Sequence, residues 1–321
     1  MTEPLFNHDL TPSAPPSALA LDELSQLPSS RALYLKALIG RRAGLKRGEA
    51  FPRVGLSAPW RLERSWLRDY LEICRWGAES QVTPLTVGQV CAAPVQSALL
   101  MGDYSPVSPL GLVHASNELL ALQPLPLEEE LWISVWFGES DWRPRGVTVD
   151  LHTVIARSAQ RDEPLWMGRT TVFKALHPDQ EALKAQRAQR ATPPPPLREE
   201  PRAAQPLSLE LPPDMGRRYA PIARDHNPIH LYPWSARLFG FKRPIVHGMW
   251  ALARSLAEAV PSAEAASTGE LTVRFKRPLE LPSQPQLTLC AAGDGSALSD
   301  ARFELRSARD QLAVEGAWRL T

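Results

Sequence analysis

The sequence is poor in cysteine, with Cys74, Cys91 and Cys290 as its three thiols in 321 residues. Three thiols so far apart exclude a disulfide framework and a thiolate zinc cage. No stretch approaches the ~20 consecutive apolar residues that a membrane span needs. The first twenty residues also lack the basic start and apolar run of a secretory signal. We therefore expect a cytoplasmic protein with reduced thiols and no membrane span.

Net charge is also nearly absent, because 36 Lys and Arg residues stand against 35 Asp and Glu residues, which leaves +1. A chain with this balance is not expected to bind nucleic acid. Hydrophobic residues make up 44% of the sequence, enough for a substantial core, and the length suits two average domains.

Proline, by contrast, is abundant, with 32 residues, and it divides the chain. The segment TPPPPLREEPRAAQPLSLELPP, residues 192–213, has no apolar periodicity and cannot pack as a helix or a central strand. We predict a loosely held arm at 1–28, a first domain at 29–190, a linker at 191–213 and a second domain at 214–321.

Helical spacing gives way to strand-like alternation within the first domain. A helix is predicted from Leu62 to Trp76, ending at Gly77, and strands are predicted at 131–137, 147–151 and 166–175. Helices followed by neighbouring strands favour an α+β domain with an antiparallel sheet.

The second domain repeats this plan. A turn-rich segment from Tyr219 to Arg243 precedes a predicted helix at about 247–260, and strands are predicted around 271–275, 303–305 and 312–320. PLGLVHA at 109–115 and PIVHG at 244–248 also share a proline, branched aliphatics, a histidine and a small residue that would open a helix. This similarity favours a duplicated fold, although chance similarity between two helix starts would also explain it.

The segment that carries chemistry is YAPIARDHNPIHLYPWSARLFGFKRPIVHGM, residues 219–249. On a continuous helix, Asp225 and His230 would point roughly 140° apart. Asn227 and Pro228 between them break a helix, so the loop can aim both side chains at one point. A carboxylate and an imidazole that share one water form a general acid/base pair near neutral pH.

A helix that begins near Gly248 would present unsatisfied N–H groups at its positive end. Because glycine has no side chain, a ligand oxygen can approach its amide closely, as in an oxyanion hole. An acid/base pair opposite such an amide suits a reaction through an enolate, such as addition of water to an α,β-unsaturated thioester.

The same segment resembles the signature of the MaoC-like, (R)-specific enoyl-CoA hydratase family, which has an aromatic residue, Asp-x-Asn-Pro-aliphatic-His, a small residue, Gly-Phe and Pro-Ile-x-His-Gly-Met. The matching residues are Tyr219, Asp225, Asn227, Pro228, Ile229, His230, Ala236, Gly240, Phe241, Pro244, Ile245, His247, Gly248 and Met249. VRFKRPLELP at 273–282 resembles the strand that follows the family's central helix, and 109–119 resembles the degenerate first half of two-domain members.

The resemblance implies an α+β double hot-dog, with two long central helices each wrapped by an antiparallel sheet and with a degenerate first domain. It also implies reversible hydration of trans-2-enoyl thioesters. Asp225 and His230 would activate water, the Gly248 amide would hold the thioester oxygen, and Tyr219, Asn227, Pro228 and His247 would support the site. It implies no metal and no cofactor, since coenzyme A or a carrier arm arrives with the substrate.

One departure from the family pattern is Arg224, which replaces the usual glycine before the aspartate. Its guanidinium would either favour the ionised form of Asp225 or meet a substrate phosphate. We group Arg224, Lys242, Arg243 and Met249 as expected substrate contacts.

Other interpretations remain. Hot-dog proteins include thioesterases, and a disabled Asp-His loop would leave a protein that binds acyl-CoA or acts as a scaffold. A metal site at His226 and His230 is disfavoured, since Pro228 separates them and no third ligand is evident. His114 suits packing better than catalysis, and a homodimer is compatible with the sequence.

Overall fold

Alternating apolar and polar residues build one continuous sheet of eleven strands in the computed structural model. The structure describes residues 19–26, 33, 42–77, 79–183, 205–291 and 299–321. The first half contributes β1 (Ala20–Glu23), β2 (Val54–Arg61), β3 (Leu112–Ala121), β4 (Glu130–Arg143), β5 (Gly146–Arg157) and β6 (Gln160–Ala175). The second half contributes β7 (Leu207–Ser208), β8 (Gly269–Phe275), β9 (Gln286–Ala291), β10 (Asp300–Arg306) and β11 (Leu312–Leu320). The order is β1-β2-β4-β5-β6-β3-β8-β11-β10-β9-β7, and only the β1–β2 pair is parallel among these described strands.

Five α-helices that begin and end within the described residues accompany the sheet: α1 (Arg64–Cys74), α2 (Val87–Met101), α3 (Met215–Ala223), α4 (Pro233–Leu238) and α5 (Gly248–Ala259). The two longest, α2 and α5, have most of their side chains buried, and each belongs to one half. An antiparallel sheet around two buried helices is the α+β arrangement predicted from the sequence. None of the described helices is both long and apolar enough to cross a membrane.

The two halves meet where β3 pairs with β8. Asn117 lies opposite Val273 and Leu119 lies opposite Leu271 in this antiparallel ladder. A single cluster of buried apolar residues extends through both halves, and the Trp250 indole of α5 donates to the Ile73 carbonyl of α1 at 3.0 Å. The junction therefore brings β3 of the first half to the beginning of α5 in the second.

Most of the predicted elements are present, with shifted ends. The predicted strands fall within β4, β5, β6, β8, β10 and β11, and the predicted second-domain helix is α5. The first-domain helix ends at Cys74 rather than at Gly77, because Arg75 adopts a left-handed conformation with φ 61°. Tyr219 is helical rather than part of a turn, since α3 includes it.

The interpretation of residues 109–115 as a helix start is wrong. Strand β3 begins at Leu112, and the central helix of the first half lies earlier, at α2. PLGLVHA therefore leads into a strand and PIVHG leads into α5, so their similarity is not structural. The repeated plan lies in α2 and α5 instead.

The domain boundaries stay a prediction. Residues 1–18 and 27–28 of the predicted arm and 191–204 of the predicted linker lie outside the described residues. Ala20–Glu23 of the arm pairs with β2, and Leu207–Ser208 of the linker pairs with β9. Leu209 and Leu211, which follow, are buried against the second half.

Candidate active site

A short turn after α3 carries the predicted acid and imidazole, and we call residues 224–230 the Asp-His turn. Helix α3 ends at Ala223 because Arg224 adopts a left-handed conformation with φ 50°. The helix thus ends before Asp225, earlier than the predicted break at Asn227-Pro228. Since left-handed backbone favours glycine, this conformation gives a physical reason for the glycine that the family has here.

Side-chain to backbone hydrogen bonds shape the rest of the turn. Asp225 Oδ1 accepts the Asn227 N–H at 3.0 Å, and Asn227 Oδ1 accepts the Ile229 N–H at 3.3 Å. Pro228–His230 then form one 3₁₀ turn that carries His230. Asn227 and Pro228 therefore aim His230, as the sequence predicted, by beginning a new turn rather than by ending a helix.

Asp225, His230, His247 and Tyr219 come together at this turn. Asp225 Oδ2 lies 4.0 Å from His230 Nε2 and 3.9 Å from His247 Nε2. The two imidazole rings stack with their centroids 3.8 Å apart, and the Tyr219 ring meets His247 edge-on at 5.2 Å. The carboxylate and the imidazole of the predicted acid/base pair therefore lie close together. His247 packs against His230, and Tyr219 packs against His247.

Backbone carbonyls define which imidazole nitrogens carry a proton. His230 Nδ1 lies 2.7 Å from the Ile245 carbonyl oxygen, which can only accept, so Nδ1 is the donor. In the neutral ring, His230 Nε2 then holds a lone pair and faces Asp225. His247 Nε2 donates to the Asp225 carbonyl oxygen at 3.2 Å, so His247 holds the backbone of the turn.

Burial keeps both rings neutral. It lowers the pKa of His230, although the Asp225 charge opposes the shift. Burial, and next the neighbouring His230, lower the pKa of His247 to about 3. The Asp225 carboxyl is about one-third exposed, whereas the histidine side chains are at most one-tenth exposed. A neutral imidazole beside a partly solvated carboxyl can accept a proton at neutral pH.

Asp225, His230 and His247 are also close enough together to hold a metal ion. Their chemistry fits that role poorly, because the Asp225 carbonyl already binds His247 Nε2. The carboxylate and His230 Nε2 remain, whereas a zinc site commonly uses three or four protein ligands. A site without a metal stays the prediction.

The beginning of α5 supplies the predicted amide. His247 precedes the helix with extended backbone and makes no side-chain cap, and no hydrogen bond of the described residues engages the Gly248 N–H. Gly248 is partly exposed. A Cβ at this position would lie 2.7 Å from the Phe275 ring, so the absent side chain makes room for Phe275.

The first half of the chain reaches this site through β3, which sequence reasoning missed. Buried Asn117 accepts from His114 Nε2 at 2.8 Å and donates to the Met249 sulfur at 3.0 Å. The His114 ring lies 4.8 Å from Phe275, at a β-bulge in β3. Burial lowers the pKa of His114. The hydrogen bond to Asn117 and the Asp225 charge oppose this shift without reversing it. One signal was present: Asn117, Leu119 and Ala121 alternate, which places a polar residue on the inward face of a strand.

The basic residues predicted to contact substrate lie on two sides of the turn. The Arg224 guanidinium lies 4.6 Å from the centroid of the Trp60 ring in the first half. Lys242 and Arg243 are exposed and, with Arg237, Gly240 and Phe241, line an open depression of about 490 Å³. The roles of these residues stay predictions.

Known proteins share this fold and part of this sequence. The family model described as "MaoC like domain" matches residues 190–296. Over 213 residues the chain is 31% identical to 3-hydroxyacyl-thioester dehydratase X of Mycobacterium tuberculosis. This alignment covers 66% of the chain and 71% of the mycobacterial protein. The crystal structure of HtdX from Mycobacterium tuberculosis superposes with a TM-score of 0.64 at 24% identity, over 83% of this chain and 100% of that one. A MaoC-like dehydratase from Phytophthora capsici gives 0.62 at 17% identity, over 83% and 95%.

The shared sheet, its two buried helices and the similar structures define a double hot-dog protein, which confirms the predicted fold. More particularly, the chain belongs to the MaoC-like dehydratase family and is a hydro-lyase.

Proposed function

We propose that this chain adds water to trans-2-enoyl thioesters and, in reverse, dehydrates (R)-3-hydroxyacyl thioesters. The observation that carries this proposal is the 4.0 Å separation of Asp225 Oδ2 and His230 Nε2. One water oxygen can lie within about 2.8 Å of two atoms that far apart. The name of the mycobacterial relative, a 3-hydroxyacyl-thioester dehydratase, supports the same substrate class.

In the hydration direction, His230 Nε2 accepts a proton from the shared water while the water oxygen bonds to C3. The Ile245 carbonyl supports this role, because it holds the other nitrogen as a donor and leaves Nε2 with its lone pair. Asp225 orients the water through its carboxylate, which the Asn227 N–H holds in place.

The electron pair of the C2–C3 double bond moves to the thioester oxygen as the C3–O bond forms. The Gly248 N–H at the start of α5 donates to that oxygen, an interaction worth ~3 kcal/mol in the transition state. C2 then takes up the proton held by the Asp225–His230 pair, so hydrogen and hydroxyl add to the same face. Dehydration reverses each step.

The remaining predicted residues take supporting roles. His247, Tyr219, Asn227 and Pro228 hold the turn in shape, as their contacts suggest. The substrate would meet four further side chains: Arg224, Lys242, Arg243 and Met249. The basic ones suit the phosphate of a phosphopantetheine arm, which coenzyme A and carrier proteins share. The scheme needs no metal or other cofactor.

Crotonyl-CoA tests the proposal when enoyl absorbance and free thiol are followed together. Wild type should consume the conjugated double bond without releasing thiol. Asp225→Asn and His230→Gln should each lower kcat by ~10² or more, with unchanged unfolding by urea, because each removes one half of the acid/base pair.

The exposed His177→Gln variant serves as the matched control and should keep wild-type kcat. Thiol release in step with enoyl loss would instead support a thioesterase. Binding of crotonyl-CoA without either change would support a non-catalytic acyl-CoA-binding protein.

A further inference from the structure

The two most exposed large apolar side chains of the described residues, Leu238 and Trp234, lie beside the Asp-His turn. Leu238 is 76% exposed, Trp234 is 66% exposed and Tyr232 is 45% exposed. Tyr232 and Trp234 stack with their ring centroids 6.1 Å apart. We call these three side chains, on α4 and the residue before it, the α4 patch. Single exposed apolar residues are ordinary, whereas a cluster of them marks a surface that another molecule covers.

Positive charge surrounds the α4 patch. Arg237 lies on the same helix, Lys242 and Arg243 follow it around the depression of about 490 Å³, and the Arg217 guanidinium lies 5.1 Å from the centroid of the Tyr232 ring. The sequence has no Asp or Glu anywhere between residues 226 and 257. The surface thus has an apolar centre and a basic rim, although the whole chain is nearly neutral.

Hydrogen bonds hold this surface directly on the Asp-His turn. Ser235 Oγ in α4 donates to the Pro228 carbonyl oxygen at 2.7 Å. The Ile245 N–H, beyond the basic residues, donates to the Ile229 carbonyl oxygen at 3.1 Å. A molecule bound to the α4 patch would therefore lie next to the groups that receive the thioester.

We propose that the α4 patch docks an acidic acyl-carrier protein, whose phosphopantetheine arm presents its thioester to Asp225 and His230. This inference rests on the proposed function. An acidic partner complements the basic rim and would be steered toward it, while Trp234 and Leu238 would fill the buried centre of the interface.

Charge and position favour this partner over two others. A second copy of the chain, docked patch to patch around a two-fold axis, would bring Arg237, Lys242 and Arg243 near their own counterparts. An anionic lipid surface matches the charge, but it presents no thioester arm to the adjacent turn.

Three crotonyl thioesters test the inference: crotonyl carried by a bacterial acyl-carrier protein, by coenzyme A and by pantetheine. In Trp234→Ala, Leu238→Asp and Arg237→Glu, we expect KM for the carrier-linked substrate to rise about tenfold or more. For the pantetheine thioester, which has no protein or phosphate, kcat/KM should stay within about twofold. Added salt should weaken the carrier-linked reaction of wild type and leave the reaction of the uncharged pantetheine thioester nearly unchanged, because salt screens the charge steering of the carrier.

Leu207→Asp and Arg302→Glu are matched controls, since both residues are exposed, on β7 and β10, and belong neither to the α4 patch nor to its basic rim. They should leave all three reactions unchanged. Equal losses on all three substrates in the α4 patch variants would overturn the docking proposal, as would a carrier-linked reaction that these variants leave intact. Binding of phosphatidylglycerol vesicles without binding of the carrier protein would also overturn the docking proposal. A dimer that Trp234→Ala dissociates, again without carrier binding, would overturn it as well.

A failure of the proposed function gives a different result. If wild type hydrated none of the three thioesters, the function would be contradicted. Calorimetric titration of the carrier protein into wild type and Trp234→Ala would still decide the docking, with about tenfold weaker binding expected in the variant.

Discussion

The buried His247 ring predicts a specific loss of stability in acid. Burial, and next the neighbouring His230, lower its pKa from 6.5 to about 3 in the folded chain, while Asp225 opposes the shift. The unfolded chain therefore binds one more proton than the folded chain across this range. The stability contribution is complete above pH 6.5 and is lost as the pH falls from 6.5 toward about 3.

One proton of difference changes the free energy of unfolding by about 1.4 kcal/mol per pH unit. Between pH 6.5 and about 4.5, His247 should therefore account for roughly 2 kcal/mol of lost stability, because at pH 6.5 the unfolded ring is only half protonated. Urea unfolding across this range measures the loss. His247→Gln should remove that part of the pH dependence, because glutamine keeps an N–H donor for the Asp225 carbonyl and does not titrate.

The exposed His177→Gln variant is the control and should follow the wild-type pH profile. Burial also lowers the pKa of His230, so part of the acid loss will remain in His247→Gln. Parallel unfolding free energies for wild type and His247→Gln between pH 6.5 and about 4.5 would refute this reasoning.

Three further substitutions test single contacts. Gly248→Ala should destabilise the fold by about 1–3 kcal/mol in urea unfolding, because the new Cβ meets the Phe275 ring. Adding Phe275→Leu to the same chain should restore most of the lost stability. No recovery would contradict the packing argument. Asn117→Leu should cost about 1–3 kcal/mol, because it leaves the part-buried His114 Nε2–H without its acceptor, and unchanged thermal unfolding would contradict this. Arg224→Gly should change kcat/KM on acyl-CoA substrates, and unchanged kinetics at every acyl length would remove Arg224 from the substrate contacts.

The local part of the site could be predicted from the sequence because short-range rules define it. Asn227 and Pro228 turn the chain within six residues, and proline and asparagine have strong local preferences. The start of α5 next to His247 follows from similar signals. These local signals suffice to predict that Asp225, His230 and Gly248 belong to one site.

The long-range part could not be predicted in the same way. Helix α2 is apolar on almost every side, so it shows no amphipathic period, and its buried Gln89 and Gln96 find partners only in the folded chain. Asn117 and His114 reach the site through the pairing of β3 with β8, more than 150 residues apart along the chain. No local pattern specifies such a pairing.

The most direct test of the central claim is the stereochemistry of water addition to crotonyl-CoA in D₂O, followed by NMR and a chiral assay. In the proposed mechanism the Asp225–His230 pair delivers hydroxyl and proton from one side, so we predict one deuterium at C2 on the same face as the new hydroxyl. The resemblance to (R)-specific hydratases predicts (R)-3-hydroxybutyryl-CoA as the product. An (S) product, deuterium on the opposite face, or free crotonate would contradict the account.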